Sequence, residues 1–220
     1  MKRRTLLRAA SLGLGLAGLR GMALGAAPAA KAPAGAAPSL LEQVRRRLAD
    51  APVLKGSFEQ RKTVKGFRQP LVSRGDFLVA RDRGVLWHTR EPFASELVIT
   101  RDRLLSRQAG GVVDTQVDAA REPGIRAVNE MLFALMAADF DVLAQRFHID
   151  GALQGAAAWR LVLTPKDAAL AQWVARIELD GDRFVRQVRL AEAGGDSSAI
   201  ALSGQATATS LSREDGARFD

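Results

Sequence analysis

The feature that most constrains this chain is a period of two. From Val53 onward, apolar and polar residues alternate in short runs bounded by turn residues, the pattern of half-buried β-strands. Val53–Arg61, Leu71–Ala80, Val85–Thr89, Ala94–Thr100, Arg103–Gln108 and Val112–Val117 read as six strands with short connections. Strands linked so closely pair with their sequence neighbours as an antiparallel meander. After an interruption the strands resume. Phe147–Asp150 is expected to turn at Asp150-Gly151, and Ala157–Thr164 stops at Pro165. Gln172–Leu179 leads through Asp180-Gly181 into Phe184–Glu192, and Asp-Gly between alternating runs is the sharpest hairpin signal in the chain. Gly194-Gly195-Asp196 turns into Ala199–Ser203, with a last edge strand within Gln205–Ser212. The expected fold is mainly β: one antiparallel sheet of about 10–11 strands, large enough to curl toward an incomplete barrel.

Helical periodicity occurs in two places. Ser39-Leu40-Leu41-Glu42 is a capping box. Leu40, Leu41, Val44 and Leu48 follow on one face, with Arg45, Arg46 and Arg47 read as a solvated face opposite and the helix ending near Asp50. Pro123 suits the first turn of a second helix. Ile125, Val128, Leu132, Leu135 and Met136 recur at helical spacing, and Met131 and Phe133 broaden that face. Asp139 or Asp141 is placed to cap a third helix, DVLAQRF. Helices inserted into a meander must cover a sheet face. Their Met, Phe and Leu content suits either plain core packing or a soft, adaptable surface.

The first 30 residues read as an export leader. Met1–Arg8 is basic, Ala9–Leu19 is apolar but too short and glycine-rich to span a membrane, and small residues follow to Ala30. Either a Sec or a twin-arginine signal fits Lys2-Arg3-Arg4-Thr5-Leu6-Leu7-Arg8. The expected organisation is a leader at 1–30, a disordered linker at 31–38 and one domain at 39–220, destined for the periplasm. The leader also explains the charge. The net charge of +8 includes five basic residues and no acid in the first 30 positions, and without them 27 basic residues face 24 acidic ones. So mild a balance argues against a nucleic-acid partner.

The sequence offers no catalytic set. There is no cysteine, hence no thiolate chemistry. His88 and His148 sit on different strands without a metal-ligating neighbour. Gly195-Asp196-Ser197 reads as a turn, since no histidine follows it. A hydrolase using either histidine would have to assemble its site in space.

Arg74–Pro92 carries the candidate site. Gly75, Phe77, Val79 and Arg81 share one strand face, which brings an arginine to the edge of an apolar surface. Arg81 either begins the turn in solvent, where Asp82 is placed to pair with it, or is carried to the edge of the apolar face, where its charge needs a partner.

Taken in order, several segments resemble the LolA/LolB family of periplasmic lipoprotein carriers. They are Phe58-x-Gln60, Gly75-Asp76-Phe77-Leu78-Val79, the spacing of Arg81, Trp87 and Pro92, Leu161-Val162-Leu163-Thr164-Pro165-Lys166, and the hairpin around Asp180-Gly181. The resemblance covers roughly Leu40–Ser203. It implies a curled, incomplete barrel closed by two or three helices forming a lid. It also implies a monomeric carrier, not an enzyme, that needs no cofactor and holds acyl chains in an apolar cavity. Its partners would be an acylated lipoprotein or lipid cargo, an inner-membrane ABC transporter and an outer-membrane acceptor protein. On this resemblance Arg81 is the candidate latch, Phe77, Val79, Val85 and Trp87 the cavity wall, and Leu132, Leu135 and Met136 the lid. Asp82 stands where the family commonly has proline, and the C-terminal extension is short. A carrier of another lipid or glycolipid is the alternative.

Overall fold

A computed structural model describes residues 38–100, 103–108, 113–118, 133–134 and 139–219. The chain enters through α1 (Leu40–Arg47), whose capping box forms as expected: the Ser39 amide donates to the Glu42 carboxylate at 2.6 Å and the Glu42 amide to Ser39 Oγ at 3.3 Å. Leu48 turns extended, so the helix stops before Asp50. Six strands follow: β1 (Val53–Thr63), β2 (Leu71–Ala80), β3 (Gly84–Glu91), β4 (Ser95–Ile99), β5 (Arg103–Gln108) and β6 (Val113–Asp118). Next come α2 (Phe140–Arg146), capped by Asp139, then β7 (Phe147–Gln154), β8 (Ala158–Pro165), the one-turn α3 (Ala168–Ala171), β9 (Val174–Gly181), β10 (Val185–Glu192), β11 (Ser197–Ala208) and α4 (Arg213–Ala217). The helix expected from Pro123 lies outside the described residues, apart from Phe133 and Ala134, which are helical.

All eleven strands form one sheet in the order β6-β5-β4-β3-β2-β1-β11-β10-β9-β8-β7. Two meanders are joined where β1 pairs antiparallel with β11, from Val53 opposite Ala208 to Thr63 opposite Ser197. β6 and β7 end the order, so the sheet curls without closing into a barrel.

Three strand expectations are corrected. Asp150-Gly151 does not turn: β7 runs through it to Gln154, with Gly151 opposite Leu161. A Cβ on Gly151 would meet Leu161 Cδ2 at 2.9 Å, so the glycine makes room for a core leucine. Gly181 likewise lies within β9, opposite Trp159, and a Cβ there would meet the indole at 2.4 Å. The β9–β10 turn falls one step later, where the Asp182 carboxylate accepts from the Phe184 amide at 3.0 Å. Finally, Ala199–Ser203 and the start of the expected edge strand are one strand, β11, at the centre of the sheet.

Period-2 alternation sends residues to two apolar clusters on opposite faces. The larger lies on the concave face and collects Phe58, Phe77, Val79, Val85, Trp159, Leu161, Ile177 and Leu179 beneath Val44 of α1 and Phe140 and Leu143 of α2. The smaller lies on the convex face, where Val53, Leu78, Ala80, Leu86, Val98 and Leu105 are covered by Leu211 and Phe219 of the C-terminal tail. Two of the three α1 arginines are not merely solvated. Arg45 pairs with Asp141 of α2 at 3.0 Å, and Arg47 donates to the Gly155 and Ala158 carbonyls of the β7–β8 turn.

Candidate functional site

The concave wall of the first meander is an aromatic plate. Phe58 on β1 stacks on Trp87 on β3, with ring centroids 3.8 Å apart, and Phe77 on β2 lies 6.2 Å from the same indole. Two glycines make the arrangement possible. In register, Phe58 faces Gly75, and Gly56 faces Phe77, which faces Trp87. A Cβ on Gly75 would meet the Phe58 ring at 2.8 Å, and one on Gly56 would meet the Phe77 ring at 2.7 Å. Each ring therefore lies across a bare stretch of backbone on the neighbouring strand; Phe58 reaches Trp87 over Gly75, and Phe77 faces Trp87 directly.

At the end of the sheet where β1 begins and β2 stops, this wall opens into a cavity of 520 Å³, within the range of about 300–1,000 Å³ usual for small-molecule sites. Its inner lining is apolar: Leu48, Leu54, Val79, Phe133, Phe184 and Val185. Its mouth carries both signs of charge, from Arg45, Arg81 and Arg183 and from Asp50, Asp139 and Asp141. The sequence places these charges together through tertiary folding alone. Asp50 rides on the α1–β1 connection, Asp139 and Asp141 on the start of α2, and Arg183 on the β9–β10 turn.

Arg81 sits immediately after β2, about half-exposed, with its guanidinium 2.5 Å from Asp50. Its partner is therefore Asp50 and not the adjacent Asp82. The backbone explains this, because the Arg81 amide donates to the Pro52 carbonyl at 3.1 Å and holds the α1–β1 connection against the end of β2. Of the other expected site residues, Val79 lines the cavity, Phe77 and Val85 are buried in the concave cluster, and Trp87 packs against it. Leu132, Leu135 and Met136 lie outside the described residues. Sequence reasoning missed Asp50, Arg183 and the pair of Arg45 with Asp141, none of which has a local signal.

The polar residues assemble no catalytic set among the described residues. Ser57, Asp76 and His88 stand in register across β1, β2 and β3 on the convex face. The Ser57 hydroxyl donates to the Asp76 carboxylate at 2.9 Å, so its proton is directed at Asp76 and not at the His88 imidazole. No group of three or more metal-ligating side chains converges among the described residues, and no helix there is long and apolar enough to cross a membrane.

The profile of one family, outer membrane lipoprotein carrier protein LolA, matches residues 49–215. The chain belongs to the LolA family. The match begins at the residue before Asp50 and ends within α4, so it includes both meanders, the cavity wall and most of the C-terminal tail. The family is one of carriers. A LolA superfamily protein from Nitrosomonas europaea is similar at 11% identity, covering 79% of this chain and 94% of its own, with a TM-score of 0.43. A DUF1329 family protein from Desulfovibrio piger is similar at 13% identity, covering 82% and 92%, with a TM-score of 0.45. The MucA/MucB complex from Pseudomonas aeruginosa contains a chain that is similar at 18% identity, covering 82% and 60%, with a TM-score of 0.47. No curated protein matches the LolA-family chain described here.

Proposed function

We propose that this chain is a periplasmic carrier that shelters the acyl chains of a lipid-modified protein and moves it from the inner to the outer membrane. The observation that carries this reading is the cavity, a recess of 520 Å³ in which Leu48, Leu54, Val79, Phe133, Phe184 and Val185 meet a set of charged side chains that are mostly solvent-exposed. Acyl chains would lie against Val79, Leu54 and Val185, and the aromatic plate of Phe58, Phe77 and Trp87 would form the wall beyond. The charged mouth would stay hydrated beside the attachment point. Arg81 would act as the latch, tying the α1–β1 connection across the rim through Asp50. Leu132, Leu135 and Met136 would belong to the lid. Cargo would come from an inner-membrane ABC transporter and pass to an outer-membrane acceptor, with the chain working as a monomer without a cofactor. Residues 1–30 would be the export leader, 31–38 a linker and 39–220 the working domain.

Mass spectrometry of material extracted from the protein after its isolation from the cell tests this directly. A bound triacylated peptide is the expected result. A free lipid or glycolipid in its place would assign the cavity to a different cargo. No extracted lipid, together with no binding of a fluorescent fatty acid, would overturn the reading.

A further inference from the structure

Four large apolar side chains are exposed among the described residues: Phe67 at 65%, Leu71 at 57%, Phe93 at 82% and Trp173 at 75%. The topology brings all four to one end of the sheet. Phe67 lies on the β1–β2 connection and Leu71 begins β2, Phe93 lies on the β3–β4 connection, and Trp173 just before β9. The registers fix that end. Lys62 faces Leu71, Thr89 faces Ser95, Thr63 faces Ser197, and Glu192 faces Val174. Hydrogen bonds tie the loops into one rim: the Lys65 amide donates to Asp196 at 2.9 Å and the Ala193 amide to the Trp173 carbonyl at 3.1 Å. With neighbouring strands about 4.8 Å apart, Phe93 and Trp173 stand roughly 25 Å apart along this rim.

Among the described residues the rim also carries more basic than acidic side chains: Lys62, Lys65, Arg68, Arg146 and Lys166 against Glu192, Asp196 and Asp167, with Arg74 and Glu91 paired. Lys65, Arg68 and Arg146 have no acidic partner among the described residues. The acids beside them are already engaged. Glu192 and Asp196 face Lys62 at 2.9 and 3.9 Å, Asp167 caps α3 at 2.7 Å, and Glu91 faces Arg74 at 3.4 Å. The apolar tips stand on three separate segments and line neither the cavity beside Arg81 nor the smaller one beside Asp76 and His88, so they offer a folded partner little to pack around. Separate aromatic tips interleaved with cations match the headgroup layer of an anionic bilayer, where aromatic rings settle and each cation gains from the surface potential.

We infer that this end of the sheet is a docking surface for an anionic lipid membrane. It is distinct from the cavity mouth, which opens at the opposite end where β2 stops and β10 begins. Docking therefore leaves the mouth uncovered, and the inference holds whichever cargo the cavity carries.

Vesicle flotation tests it, with the protein in its processed form as isolated from the cell. The vesicles contain phosphatidylethanolamine with phosphatidylglycerol, or phosphatidylcholine alone. The protein is expected to float with the anionic vesicles at low salt and to be released as salt rises. Its tryptophan emission should shift to the blue on binding. Trp173→Phe should lose most of that shift while still floating, because Trp159 is fully buried and Trp87 is stacked on Phe58 in the concave face, away from the rim. The triple variant Phe67→Ser, Phe93→Ser, Trp173→Ser should bind at least about tenfold more weakly. Lys65→Gln with Arg68→Gln should bind more weakly and lose part of the salt dependence. A fluorescent fatty acid bound equally by every variant would show that the fold and cavity are intact. Failure of the wild-type chain to float with anionic vesicles would overturn the inference. So would equal flotation of the triple variant, or a dimer lost in that variant without any flotation.

Discussion

At the scale of single residues, the concave face depends on where side chains are missing. Gly75 is the tightest case, since a Cβ there would meet the His88 carbonyl oxygen at 1.9 Å as well as the Phe58 ring. The oxygen belongs to the backbone of β3, so relief requires moving a strand and not merely rotating a side chain. Gly75→Ala is therefore expected to cost about 3 kcal/mol, at the upper end of overpacking, read as a lower midpoint in urea denaturation. It should also disturb the Phe58–Trp87 stack and with it the near-ultraviolet circular dichroism. At this scale the sequence was partly legible. Alternation placed Phe77, Val79 and Val85 on the inward face, and the structure buries all three. Gly151 and Gly181 were misread as turns because an Asp-Gly pair looks the same in a turn and in a strand. What decides between them is a large side chain on the neighbouring strand, Leu161 or Trp159, which the local sequence cannot reveal.

Among the elements, the C-terminal tail does more than its length suggests. Leu211 and Phe219, on either side of α4, cover the convex apolar patch, and the tail is pinned by ionic and polar contacts. Lys55 meets Asp215 at 2.5 Å, Arg218 pairs with Glu96, and Arg103 donates to the Phe219 carbonyl. Phe219 is nearly fully buried, so Phe219→Ala should cost about 3 kcal/mol through lost burial and an unfilled site. The loss should fall first on the tail, seen as faster amide exchange across α4. Acid should act on the same element. The bond from Lys55, and then that from Ser212, hold the Asp215 carboxyl below the ordinary carboxylate range. A depressed folded value means the contribution is fully present above the unfolded value of about 4 and is lost as pH falls through the folded one. The tail should therefore become sensitive to an acid-active protease at low pH before the sheet unfolds, and a tail equally protected at pH values above and below that range would contradict this. This element was nearly illegible. Arg-Glu-Asp-Gly-Ala is too short and too polar to read as a helix, and Ser197–Ala208 has the small, polar composition of an edge strand. It is central only because β1 and β10 pair with it on either side.

For the whole molecule, the antiparallel sheet was legible from neighbour-to-neighbour alternation and its curl from its size, and the cavity mouth was not. The mouth gathers Arg81, Asp50 and Arg183 from three separate connections and Asp141 from the start of α2, and only the closure of the fold brings them together. The Arg81–Asp50 pair tests how much this gathering matters to transport. It is half-exposed, so it is worth about 0–1 kcal/mol and can bias a loaded against an empty state by no more than severalfold. Arg81→Leu should slow release of cargo by that amount in a reconstituted transfer assay, because the mouth becomes more apolar while Asp50, already largely in solvent, is left without strain. Unchanged transfer would remove Arg81 from the mechanism. The pairing of β1 with β11 carries a consequence of a different kind. Residue 53 finds its partner at residue 208, so the middle of the sheet is the last part that can form. Until the chain's final tenth is available, each meander keeps a bare edge. Contacts between such distant residues slow folding, and unsatisfied edges invite association with other chains. The chain's most vulnerable moment thus comes before its synthesis or passage is complete, when its two halves exist but have not yet met.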